Sequence, residues 1–154
     1  MKFNFRQLIL QIAIPLIVGA LASFLTRNSM SVYTDINRPS FSPPSALFPI
    51  VWTILYILMG IAAYLIVMSD SPDKTYILSI YGIQLLLNFV WPILFFTFQN
   101  YSGAFVILMI LWVLIVLMIY NFYKVNKFSA VLLIPYLLWV TFAGLLNLTI
   151  VLLN

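Results

Sequence analysis

Residues 47–68 read LFPIVWTILYILMGIAAYLIVM, an apolar run without one charged side chain. A helix rises about 1.5 Å per residue, so a run of this length covers a hydrocarbon layer of roughly 30 Å. The apolar residues are continuous rather than alternating, which argues against a barrel strand, and a helix satisfies its own backbone hydrogen bonds in lipid. The segment is therefore read as a membrane span. The same pattern recurs at roughly Leu8 to Thr26, Tyr76 to Phe98, Gly103 to Tyr123 and Ser129 to Leu153. The expected fold is an all-α integral membrane bundle of five transmembrane helices, a single domain over residues 1–154.

Composition and punctuation agree with that reading. Hydrophobic residues make up 65% of the chain and charged residues 6%, whereas soluble domains keep roughly a quarter of their residues charged. Every charge falls in a terminus or between apolar runs. Ser69-Asp70-Ser71-Pro72-Asp73-Lys74 separates spans two and three, and Gln99-Asn100-Tyr101-Ser102 makes a short turn between antiparallel spans three and four. Lys124, Asn126 and Lys127 separate spans four and five. Lys2, Arg6, Lys74, Lys124 and Lys127 lie on the side of the N-terminus, against Arg27 and Arg38 opposite. This bias predicts a cytoplasmic N-terminus, with the first loop and the C-terminus outside.

Several function classes are disfavoured. The net charge of +4 is split among short loops and forms no basic stripe, so no nucleic-acid partner is expected. Cysteine and histidine are absent, which removes disulfides, thiolate metal sites and a Ser-His-Asp set, and no metal site is expected. The spans contain no Asp, Glu, Lys or Arg, so proton-coupled pumping has no evident machinery. Lys2 and Arg6 before an apolar run resemble a signal peptide, but Arg27 and Asn28 follow where small residues would be needed for cleavage; a retained first helix is expected. No internal repeat supports an inverted-repeat transporter.

The interior instead carries neutral polar and aromatic groups. Trp52, Tyr56, Met59 and Ala63 share one face of span two, Gln84, Asn88, Trp91 and Phe95 one face of span three, and Trp139, Ala143 and Asn147 one face of span five, together with Pro135 or Tyr136. Amides that tie helices together and aromatics that form an interfacial belt are the bland explanation. Depth weakens the belt. Asn88 lies roughly 18 Å along span three and Trp139 roughly 15 Å along span five, both near the midplane. A cavity lined by Trp52, Asn88, Trp91 and Trp139, open toward the first loop, is geometrically allowed. That loop, Arg27 to Ala46, is much longer than the others and holds Tyr33, Asp35, Arg38, Pro39, Phe41, Pro43 and Pro44. Its prolines narrow the unfolded ensemble and its aromatics offer surface to bury, so an ordered lid is expected over a slack linker.

Arg38-Pro39, Pro43-Pro44, Phe48-Pro49, Val51-Trp52-Thr53, Leu55-Tyr56 and Met59-Gly60 resemble the first-loop and second-helix signature of the TspO/MBR family, the tryptophan-rich sensory and translocator proteins. Gln84-Leu85, Asn88, Trp91 and Phe95-Phe96 are similar to its third helix, and Pro135-Tyr136, Trp139, Ala143 and Leu146-Asn147 to its fifth. The resemblance implies a five-helix bundle, commonly dimeric, that binds porphyrins such as protoporphyrin IX and haem, and isoquinoline carboxamides or benzodiazepines. It also implies light-dependent protoporphyrin breakdown, with Trp52 and Trp139 as the reactive residues, the alternative being a non-catalytic carrier or sensor. By the same resemblance Tyr33, Pro43, Trp52, Tyr56, Asn88, Trp91, Trp139, Ala143 and Asn147 contact the ligand. Arg27 and Arg38 are expected to meet its propionates. No cofactor is obligatory; porphyrin would be ligand or substrate, and haem would find no strong axial ligand without His or Cys. The end of span five lacks the Tyr and Arg of the animal members' cholesterol pattern, so sterol binding there is not expected and a bacterial-type member of a cell membrane is implied; Leu117, Tyr120 and Lys124 match only the loose form. Gly19 with Ser23, Gly60 with Ala63, and Ser79 with Gly82 offer small surfaces for a homodimer.

Overall fold

In a computed structural model, which describes residues 2–154, the regular structure of the described residues is entirely helical. Helix α1 spans Phe5–Thr26 and runs into a short 3-10 turn, Arg27–Ser29; α2, Val32–Asp35, is a single turn inside the first loop. The remaining helices are α3 (Leu47–Val67), α4 (Lys74–Pro92), α5 (Tyr101–Val125), α6 (Lys127–Leu132) and α7 (Ile134–Leu153). Five segments are long and apolar enough to cross a membrane, and α6 with α7 makes the fifth. Polar residues set the starts. Asn4 accepts from the Gln7 amide, Asn100 from Gly103, and Asn126 from Phe128 and Ser129, each side chain satisfying orphan donors of the first turn.

Two spans depart from the continuous helices expected. Proline has no N–H to return to the carbonyl four residues back, so Pro92 opens the ladder near the end of α4. The chain continues as a π-helical turn, Ile93–Thr97, in which the Phe98 amide donates to Ile93. Gln99, at φ 51°, then takes the left-handed conformation that ends the segment. Pro135 likewise cannot continue the helix from α6, and the fifth span breaks at Leu133.

The spans close into a ring in the order α1, α3, α6–α7, α5, α4 and back to α1. Lipid is as apolar as leucine, so close packing rather than water exclusion must hold such a ring together. The α1–α3 seam shows how close it is. A side chain at Gly60 would run into the backbone of Gln11 and Ile12, and one at Gly19 into the Tyr56 ring. These two glycines, expected as a surface for a second chain, are occupied within one bundle. Gly82 differs: nothing lies within 4 Å of where its Cβ would be, and it faces outward on α4 with Ser79, Ile83 and Leu86.

Candidate functional site: an aromatic cavity under the first loop

A cavity of about 340 Å³ opens inside the ring, and its lining is overwhelmingly apolar. Among the residues expected to contact a ligand, Tyr33, Trp52, Tyr56, Asn88, Trp91, Trp139, Ala143 and Asn147 line it. Pro43 does not; its carbonyl accepts a 2.6 Å bond from the Tyr33 hydroxyl, so it acts on the cavity through Tyr33. Arg27 and Arg38 do not line it either. Their guanidinium groups lie over the rings of Phe24 and Tyr33, at 4.2 and 4.3 Å from the centroids. No charged side chain lines the cavity among the described residues.

One wall was missed. Gly19, Ala22, Ser23 and Thr26 of α1, with Met30 beyond it, line the cavity, which was expected to lie between spans two, three and five alone. The signal was a run of small residues at spacings of three, one and three along one face of span one. Of these residues, only Gly19 and Ser23 are expected from the sequence to meet another surface, that of a second chain. The Thr26 hydroxyl donates to the Ala22 carbonyl at 2.8 Å, so it is satisfied within its own helix.

The polar groups of the inner end are largely committed to one another. Tyr56 donates to Asn88 Oδ1 at 2.8 Å, Asn88 Nδ2 donates to the Tyr136 hydroxyl at 2.8 Å, and Tyr136 donates to Gln84 Oε1 at 2.7 Å. Buried polar groups need such partners, and a fully connected chain is rigid. Asn147 is tied in the same way: its Oδ1 accepts from Trp91 Nε1 at 3.0 Å and its Nδ2 donates to the Tyr101 carbonyl at 3.0 Å, joining α4, α7 and α5. Trp139 is the exception. Its indole N–H is buried without a partner among the described residues, while its ring meets Phe48 and Phe142 at centroid distances of 5.9 and 5.5 Å. Trp52 stands 5.5 Å from Tyr56, tilted by 30°, and edge-on to Tyr136 at 6.2 Å.

The first loop is ordered over the cavity. Tyr33 is 3% exposed, packs edge-on against Phe48 at 5.2 Å and belongs to a cluster with Phe95, Phe96, Leu146 and Ile150. Its far side is clasped to the end of α7: the Asn37 amide donates to Asn154 Oδ1 at 3.1 Å, and Asn154 Nδ2 donates to the Asn37 carbonyl at 2.9 Å. Tyr33→Phe removes the Pro43 bond but keeps the ring. It is expected to cost about 1 kcal/mol locally and to raise hydrogen–deuterium exchange in residues 36–46, with the exchange of α3 unchanged.

Comparison with known proteins rests on the whole membrane-spanning region. Residues 11–153 match the TspO/MBR family. The chain is 41% identical to the tryptophan-rich protein TspO of Chlorobaculum tepidum, over 96% of this chain and 95% of that one. It is 38% identical to the tryptophan-rich protein TspO of Archaeoglobus fulgidus, over 98% and 99% of the two chains. The translocator protein of Bos taurus is 32% identical, over 87% of this chain and 82% of its own. With a five-span helical bundle and a match that runs through every span, the chain is a membrane protein of the TspO/MBR family.

Proposed function

We propose that the cavity binds porphyrins, protoporphyrin IX and haem among them, and flat drug-like molecules of the isoquinoline carboxamide or benzodiazepine type. We further propose that bound protoporphyrin IX is broken down in light with the participation of Trp52 and Trp139. The supporting observation is a cavity inside the ring of spans, walled by the indoles of Trp52, Trp91 and Trp139 and free of charged side chains among the described residues. Apolar walls with a few placed polar groups suit a flat aromatic ligand. At about 340 Å³ the cavity is at the small end for ligand sites. A drug-sized molecule fits; a tetrapyrrole is larger and enters with part of its plane or with the loop displaced. Its propionates then remain at the mouth, where Arg38 and Arg27 are expected to reach them, and avoid the cost of burying unpaired carboxylates.

In such a reaction the porphyrin absorbs the light and dioxygen is the oxidant. The protein positions the ring, excludes bulk water and offers indoles that give up an electron more readily than phenylalanine. A second reading, a non-catalytic carrier or sensor, is favoured by a lining that holds no Asp, Glu, Lys, Arg or His among the described residues, which leaves no acid or base for proton transfer. Illuminating the purified protein with protoporphyrin IX separates the two. Turnover gives an open-chain product by mass spectrometry that is lost in Trp52→Phe; a carrier gives binding and no product beyond that of free pigment.

The protein is further proposed to lie in a bacterial cell membrane with its N-terminus in the cytoplasm, from the excess of Lys and Arg on that side. A homodimer is proposed through the outward face of α4, where Ser79 and Gly82 remain uncovered while Gly19 and Gly60 are filled. Gly82→Leu is expected to shift native mass spectra in mild detergent from dimer to monomer with the melting temperature of the monomer retained. A wild-type chain that is monomeric in every detergent would remove the proposal.

A further inference from the structure

On the outside of the ring, between α3 and α7, lies a second hollow of about 400 Å³, lined by Val51, Ile54 and Leu55 on one side and Pro135, Leu138 and Trp139 on the other. Its origin is the break at Leu133. Helix α3 packs closely on α6, but α7 is not among its close neighbours, so beyond the break the seam is filled by side chains alone. Trp139 is the one residue common to the walls of this hollow and of the inner cavity.

We propose that this hollow is a binding site for one acyl chain of a membrane lipid, seated against the outer side of the Trp139 indole. Depth selects the occupant. Val51 to Leu55 lie four to eight residues into α3, roughly 6–12 Å along the span from its start, a distance that passes below the headgroups when the span begins at the interface. Ile54 and Leu138, 54% and 65% exposed, face outward, so the hollow opens to lipid rather than to the ring. Among the described residues no charged or hydrogen-bonding side chain lines it apart from the Trp139 indole, so a headgroup, a carboxylate or a polar ligand gains nothing there. Left empty, it would forfeit dispersion contacts along both helices, and a flexible hydrocarbon chain is the molecule at that depth able to follow a concave surface. The chain site does not depend on what the inner cavity binds.

The experiment uses the full chain in lipid nanodiscs containing a phosphatidylcholine with a photoactivatable diazirine in mid-chain, followed by digestion and site-mapped mass spectrometry. Adducts are expected at Ile54 and Leu138 several-fold above those at Val113, which is comparably exposed on α5. Filling the hollow by Val51→Phe, or by Ile54→Phe should the first fail to fold, is expected to bring Leu138 down to the Val113 level. Equal labelling of Leu138 and Val113 in the parent, or excess labelling that survives both substitutions, overturns the site. Protection of Leu138 from lipid that deepens as protein is raised relative to lipid also overturns it, because the hollow would then belong to a second copy of the chain.

Discussion

Trp139→Phe is expected to abolish light-driven loss of protoporphyrin IX while leaving the protein folded and binding the pigment with affinity close to the parent. The indole is held by packing, against Phe48 and Phe142 among others, and its N–H has no acceptor among the described residues. Replacing it with Phe gives up contact area but also removes a buried, unpaired donor whose desolvation costs about 1–3 kcal/mol. These changes offset one another, so the melting temperature moves little. What is lost is the readily oxidised ring. Porphyrin affinity, melting temperature and pigment loss under light are measured on one preparation. A well-folded Trp139→Phe protein that consumes porphyrin at the parental rate would falsify the role given to that indole.

Asn88→Leu is expected to do the opposite, lowering melting temperature and porphyrin affinity together. Asn88 accepts from Tyr56 on α3 and donates to Tyr136 on α7, so leucine of similar size breaks both ties at once. Tyr136 keeps its acceptor in Gln84, whereas Tyr56 loses the only one it has within the ladder. One orphaned buried donor and two lost bonds put the cost at roughly 1–3 kcal/mol, at the upper end for bonds between membrane helices. Affinity follows because the ladder sets the Tyr56 ring, and Trp52 packs beside that ring at 5.5 Å. Tyr56→Phe, which removes the donor with the bond, is expected to fall less. Unchanged melting of Asn88→Leu with weakened binding would mean that the amide touches ligand and does not hold the wall.

Hydropathy locates the five spans to within a few residues, because an uncharged apolar run of that length has few other places to go. The breaks inside them are less legible. Pro92 and Pro135 are visible as residues, but whether a proline kinks a helix, widens it into a π turn or splits it depends on which neighbours take up the freed carbonyls. The depth and face of Trp52, Asn88, Trp91 and Trp139 follow from helical spacing, and these residues do border one cavity. Their partners do not follow, since Tyr56 and Tyr136 meet Asn88 only after two other spans are placed beside it. Gly19 and Ser23 show the same limit: small residues announce close approach but not what approaches.

The uncharged lining of the cavity has a consequence for how uptake responds to acidity. No Asp, Glu, Lys, Arg or His borders it among the described residues, so changing the proton concentration on either side of the membrane leaves the wall chemistry as it was. A neutral carboxamide should therefore bind equally well in mildly acidic and mildly alkaline buffer. A dicarboxylic tetrapyrrole, whose propionates stay at the mouth within reach of Arg27 and Arg38, should bind less tightly as the medium is acidified into the range of its own propionic acids, because the attraction to those cations is lost as the carboxylates are neutralised.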